Sequence, residues 1–481
     1  MAPPLVRRVT LLTLPFPFRR LLVTMLALGG ALCASGTGAA RAADYVPGKV
    51  VVGYSSAPTG HLMRALNARV GTRADSPATG ERVLELPAGM GVGQAIARLR
   101  SQPGVAYAVP DFIAHADGIY VPDDRGSSHA RAGWEGLQWN FLSGAGVNAT
   151  EAWANLIADG HPGGRGVTVA VLDTGVAYRD WRQFRESPDF SGTRFVAPYD
   201  FVSHNHFALD REGHGTFVAG TIAETTNNGF ALAGLAYGAS IMPVRVLDAD
   251  GTGDALTIAR GIRYAASHGA QVINLSLEFS LDVSPTDIPD IMAAIRFARR
   301  RGVVVVAAAG NEGVAQLAYP ARAPLVISVG ATTRDRCLAD YSNGGSGLDL
   351  VAPGGGDDSS QLSDPSCHPD RQLPTIFQMT LTNPSDPSRF GLPGGIYGTS
   401  MSTPHVAAVA ALLIASRVLG SHPTPSQILS RLELTAQHLG GRWPNPSYGY
   451  GLVDAGAATA PVATAARDHR HRYSYGGTSV K

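Results

Sequence analysis

Four residues that together can break an acyl bond stand in four short frames of small residues. Asp173 lies in "AVLDTG" (170–175), His214 in "GHGTFVAG" (213–220), Asn311 in "AAAGNEG" (307–313) and Ser400 in "GTSMSTPH" (398–405). A serine hydroxyl is a weak nucleophile until a histidine takes its proton. The histidine in turn needs a carboxylate to hold its tautomer and orientation. An asparagine amide can donate to the oxyanion that forms. A serine opening a helix adds its own backbone N–H and the positive end of the helix dipole. Each residue alone has an ordinary use as a turn, a cap or an exposed polar group. Their conjunction is what points to acyl transfer, with a histidine base that titrates near 6.5 when unperturbed.

These residues need a scaffold that brings them together. Apolar strand candidates run over 167–173, 241–248, 271–277, 303–310 and 325–331, with helical patterns at 254–268 and 288–301 between them. Continuous apolar strands alternating with helices predict an α/β fold, a mostly parallel sheet covered by helices on both faces. Asp173 and Asn311 then fall at strand ends, where open α/β sheets place functional residues. His214 and Ser400 open helices, the second running to about Val418. Residues 353–396 read as a long loop. Ahead of this region, 44–116 show strand–helix–strand–helix–strand, with strands at 49–54 and 82–87, helices at 61–70 and around Ile96–Leu99, and a last strand beginning at Val105. That order predicts a small ferredoxin-like α/β domain.

The four frames, in the order Asp, His, Asn, Ser, resemble those of the subtilisin-like serine proteases, the subtilase family. The resemblance implies a Ser400–His214–Asp173 triad, with Asn311 and the Ser400 N–H as oxyanion donors. It implies a secreted endopeptidase acting through an acyl-enzyme and made as a self-processing zymogen. No cofactor is required for the chemistry. The domain at 43–117 is similar to the inhibitor-type propeptide, so the chain's own N-terminal domain becomes an intramolecular inhibitor, and 118–460 becomes the peptidase domain. The substrate edges match Gly251 and Gly253 in "DADGTGD" and Ser276, Leu277 and Glu278 in "NLSLE", with Ala308, Ala309 and Gly310 beside them. "DADGTGD" lacks the distal acidic ligand of an EF-hand loop. Asn228 and Asp189 are candidate oxygen ligands for a structural calcium, although the acidic residue expected soon after "DTG" is displaced. His405 matches a histidine behind the nucleophile and reads as structural.

Glu278 departs from the family, which usually has glycine there. If its carboxylate points inward it favours Arg or Lys in the substrate. If it points outward, the small apolar residues beside it suit large apolar side chains. By the period-two rule Ser276 and Glu278 share one face and Leu277 takes the other.

Bulk properties narrow the rest. A formal net charge of +1 argues against a nucleic-acid partner held by bulk charge, and 44% hydrophobic content supports large cores. Protein or peptide substrates and a monomer are expected. Arg7, Arg8, Arg19 and Arg20 precede an apolar run from Leu21 to Cys33, and Ala40-Arg41-Ala42 offers a cleavage site. Residues 1–42 therefore read as a signal peptide, too short in its apolar part to span a membrane, and imply a periplasmic or extracellular location. Cys337 and Cys367 lie in loop-like sequence. In an oxidising compartment they would pair, and otherwise they are two buried thiols. Residues 461–481 read as a disordered basic tail. A catalytically silent scaffold used for binding is the rival reading. An α/β-hydrolase would need a G-x-S-x-G elbow and the order Ser, Asp, His, which this chain lacks.

Overall fold

The computed structural model describes residues 45–461 other than 56–73, 76–80, 88–89, 113–119, 127–131, 360–363 and 370–374. The expected signal peptide (1–42), the helix at 61–70 and the tail beyond 461 lie outside the described residues. The chain divides into two compact units at 115/116.

In the first unit, strands β1 (Tyr45–Tyr54), β2 (Ala74–Asp75), β3 (Glu81–Glu85) and β4 (Val105–Phe112) form an antiparallel sheet in the order β2-β3-β1-β4. Helix α1 (Val92–Arg100) buries Val92, Ala95 and Leu99, spaced three and four apart on one face. They join Val50, Val52, Leu84 and Ala108 in one core. The two-residue β2 was not legible in the sequence, being too short to show a period.

The second unit begins with α2 (Gly133–Leu137) and α3 (Ala149–Ala158). Its sheet comprises β5 (Thr168–Asp173), β6 (Arg194–Phe195), β7 (Tyr199–Asp200), β8 (Ser240–Arg245), β9 (Val272–Leu275), β10 (Val304–Ala308), β11 (Ile327–Thr332) and β12 (Leu350–Pro353). The order is β12-β11-β10-β9-β5-β8-β6, with β7 also on β8, and every pairing is parallel. Helices α4 (His214–Ala223), α5 (Ala255–Ser267), α6 (Pro289–Arg300), α7 (Thr399–Ser416), α8 (Pro425–Thr435) and α9 (Ala455–Thr459) complete it.

The strands read as unbroken apolar runs because both faces are covered. Val169 and Val171 of β5 enter one core with α4 and α7, while Ala170 and Leu172 enter the other with α5 and α6. Among the described residues α7 alone is long and apolar enough to cross a membrane, yet it is almost wholly buried in the protein. An all-round apolar helix is what a core position demands. Residues 353–396 are not entirely loop: β13 (Thr380–Leu381) and β14 (Phe390–Gly391) pair as a small antiparallel ribbon.

Candidate active site

The chain passes from β8 to β9 across β5, so the direction of winding reverses at β5. The crevice at such a reversal, outside the carboxyl ends of the strands, is where open α/β sheets bind ligands. Asp173 is the last residue of β5, Ser276 follows β9, and Asn311 stands three residues past β10.

Asp173 Oδ1 accepts hydrogen bonds from His214 Nδ1 at 2.7 Å and from the Thr174 N–H at 2.8 Å. His214 is the first residue of α4, after Gly213 at φ +116°. The contact needs Gly215, where a Cβ would lie 2.1 Å from the Gly175 carbonyl and 3.0 Å from Asp173 Cβ. Asp210 holds the two loops together, accepting from Thr174 Oγ1 and from the N–H groups of Glu212, Gly213 and Thr216. Burial by itself would push the His214 imidazole down. The charge and hydrogen bond of Asp173, with Glu212 and Asp210 behind, carry it up to about 9.

Ser400 lies in the first turn of α7. Pro404 has no N–H, so the Ser400 carbonyl loses the donor four residues on. Ser276 Oγ supplies the missing bond, donating to the Ser400 carbonyl at 2.8 Å. The Ser400 hydroxyl donates back to the Ser276 carbonyl at 3.3 Å. The nucleophile candidate is thereby clamped to the end of β9. Asn311 is gripped at both ends. Its Oδ1 accepts from the Thr399 N–H (2.9 Å) and Oγ1 (3.0 Å), while its Nδ2 donates to Glu278 Oε1 at 3.2 Å. His405 is fully buried between Asn140 and the Met401 carbonyl, and burial lowers it to about 4, so it stays neutral.

His214 and Ser400 share a cleft of about 370 Å³ with Gly251, Gly253, Ser276, Leu277, Glu278 and Ala308. Ser276, Leu277 and Glu278 all line the cleft. Leu277 keeps the alternation, joining Ile273 and Leu275 in the core shared with α5 and α6. Two other expected residues do not line the cleft. Ala309 is turned away into a cluster with Leu317, Leu338 and Val351. Gly310 sits under the carboxylates of Glu278 and Glu312. Thr174, Glu212, Thr252 and Phe279 line the cleft as well and were not singled out in the sequence. Asp210 also went unremarked. Its signal was its place four residues before the histidine.

Asp248 folds "DADGTGD" into a turn with Thr252, and Asp254 caps α5 by accepting from the Thr257 N–H. Neither faces a cation site. The Asp189–Asn228 pair does not fit calcium either. Asp189 accepts from Asn228 Nδ2 (2.9 Å) and the Leu232 N–H (3.0 Å), and Asn228 Oδ1 accepts from the Phe230 N–H. The amide thus turns its hydrogens, not its oxygen, to the carboxylate, whereas calcium takes six to eight oxygens. Among the described residues no three His, Cys, Asp or Glu side chains gather as a metal site. Cys337 and Cys367 are joined in a disulfide.

A hydroxyl, an imidazole and a carboxylate converging at the switch point of a parallel sheet define a hydrolase-like arrangement. Residues 164–451 match the model of the subtilase family, and the chain belongs to it, as a serine endopeptidase. Residues 34–111 match the N-terminal prodomain of fervidolysin. Subtilisin BL of Lederbergia lenta is 38% identical over 62% of this chain and 91% of its own. Subtilisin E of Bacillus subtilis is 34% identical over 76% of this chain and 78% of its own. A thermophilic serine proteinase of a Bacillus species is 31% identical over 84% and 86%. The solved structure of a protease from Pseudoalteromonas arctica superposes with a TM-score of 0.55 at 33% identity, covering 67% of this chain and 96% of its own.

Proposed function

We propose that the chain is a secreted, self-processing endopeptidase in which Ser400, His214 and Asp173 cleave peptide bonds through an acyl-enzyme. The observation that carries this reading is the 2.7 Å His214–Asp173 bond beside Ser400 in one cleft. The Ser400 hydroxyl rotates from the Ser276 carbonyl to His214, gives up its proton to Nε2 and attacks the scissile carbonyl. Asn311 Nδ2 and the Ser400 N–H, at the start of α7, donate to the oxyanion. His214 then protonates the leaving amine, and water releases the acyl group by the same steps in reverse. The groups that do this are all protein groups, and no bound cofactor enters the reaction.

The prodomain at 43–117 acts as the intramolecular inhibitor, with the peptidase at 118–460, and residues 1–42 direct export. The mature protein works as a monomer on protein or peptide substrates and binds no nucleic acid.

The test is casein hydrolysis and N-terminal sequencing of the exported wild type and of Ser400→Ala. The wild type should clear casein and begin between about 113 and 124, while the variant should do neither and stay joined to its prodomain. A wild type that binds proteins without cutting them would favour the silent scaffold. Normal maturation of Ser400→Ala in a protease-free host would show that another enzyme does the processing.

A further inference from the structure

We infer that the cleft selects a cationic side chain, guanidinium before ammonium, in the substrate residue that contributes the scissile carbonyl. This rests on the peptidase reading above and goes beyond it. The carboxylates of Glu278 and Glu212 line the same cleft as His214 and Ser400. Glu312 lies close to Glu278, outside that lining: a Cβ placed on Gly310 would lie 2.8 Å from Glu278 Oε2 and 2.9 Å from Glu312 Oε2. Two carboxylates therefore converge over the strand end that leads into Asn311.

Among the described residues no side-chain cation pairs with Glu278 or Glu312, and Glu212 faces only His214. The ion pairs among the described residues are His214–Asp173, Arg245–Asp200 and Arg389–Asp386, and none involves Glu212, Glu278 or Glu312. The hydrogen bonds they accept come from neutral donors: Asn311 Nδ2 on Glu278, Asn343 Nδ2 on Glu312 and the His214 N–H on Glu212. Glu278 and Glu312 are exposed, and water meets their charge. Partial desolvation first, and the neighbouring Glu312 second, raise Glu278. Burial raises Glu212, against the hydrogen bond and the charge of His214.

That arrangement discriminates between substrates. A large apolar side chain seated beside Glu278 would strip water from its carboxylate and give nothing back. A guanidinium would restore the lost solvation with charge-assisted hydrogen bonds, two of them in a fork that an ammonium cannot match. Glu278 is the carboxylate that matters most. It is one hydrogen bond from the amide assigned to the oxyanion, so it lies nearest the side chain of the residue whose carbonyl is attacked. In the rest of the lining Gly251, Gly253, Ser276 and Ala308 are small, and Leu247, Ile258, Leu277 and Phe279 give apolar wall for the stem of a long side chain.

The test is a set of peptides identical except at that residue, bearing Arg, Lys, Leu or Phe, with kcat/KM measured for wild type and Glu278→Gln. Arg should exceed Leu by about tenfold or more in the wild type, and Glu278→Gln should shrink the Arg-to-Leu ratio about tenfold, chiefly through KM. Benzamidine, as a small amidinium probe, should inhibit the wild type more strongly than Glu278→Gln. Leu or Phe equal to Arg in the wild type, or a ratio unchanged in the variant, overturns the inference while leaving an active peptidase. A wild type that cuts neither these peptides nor casein overturns the peptidase reading and this inference with it.

Discussion

Asp189 is fully buried, yet it is a carboxyl group without a cation. Its partners are the Leu232 N–H, the Asn228 amide and the Glu224 carboxyl, and burial, reinforced by Asp124, raises it from 3.8 to about 7. Glu224, equally buried beside it, is raised well above the usual range by burial and then by the charge of Asp189. The unfolded chain therefore releases the Asp189 proton at lower pH than the folded one does. Its contribution is intact below about pH 4 and is lost as pH rises to about 7. A shift of about three units at 1.36 kcal/mol each amounts to about 4 kcal/mol. Asp189→Asn cannot ionise, keeps one oxygen acceptor and forfeits a hydrogen bond, which costs about 1 kcal/mol. The expectation is a crossover. In a Ser400→Ala background, which removes self-digestion, Asp189→Asn should be slightly less stable than its parent at about pH 4 and more stable at about pH 8. Urea unfolding at the two pH values, in the presence of a chelator, measures it. A variant that loses more stability at alkaline than at acid pH would refute the reasoning. Asp189 would then be ionised in the folded protein, as a carboxylate holding a cation would be. Repeating the alkaline measurement with calcium separates that case.

Other expectations follow from the same coordinates. His214 must be neutral to act as a base, and Asp173 holds it up to about 9. The turnover rate should therefore climb through the alkaline range toward that value, and an acid optimum would remove His214 from its role. Asn311→Ala should lower kcat by about 10²–10³ with little change in KM, since its amide acts on charge present only in the transition state. An equal loss in KM would point to a binding role instead. The Cys337–Cys367 bond spans a sequence separation of 30 and should contribute about 2–4 kcal/mol, read from unfolding of the Cys337→Ala/Cys367→Ala protein. Thiol labelling of the denatured, unreduced mature protein should find no free cysteine, and two labelled thiols would contradict the bond.

Much of this protein is written locally. The strands of the parallel sheet are unbroken apolar runs because each residue is buried on one face or the other, and that needs no knowledge of the partner strand. The four frames are legible for a related reason. Gly213 and Gly398 take φ of +116° and +147°, and Gly215 leaves room for the Gly175 carbonyl, so each constraint leaves its mark beside His214 or Ser400.

Other features depend on groups far apart in the chain. Glu278 meets the site because the segment after β9 lies against Ser400 and Asn311, which come from distant parts of the chain. The clamp between Ser276 and Ser400 arises because Pro404 vacates a carbonyl that a hydroxyl 124 residues away then fills. Asp189 reads in the sequence as a candidate calcium ligand, and nothing there marks Glu224 as its neighbour. Burial raises both, and burial is a property of the whole packing. The period of hydrophobicity and the demands of tight turns are short-range and survive in the sequence. Which polar groups lose their water, and which neighbours replace it, is decided when the chain closes on itself.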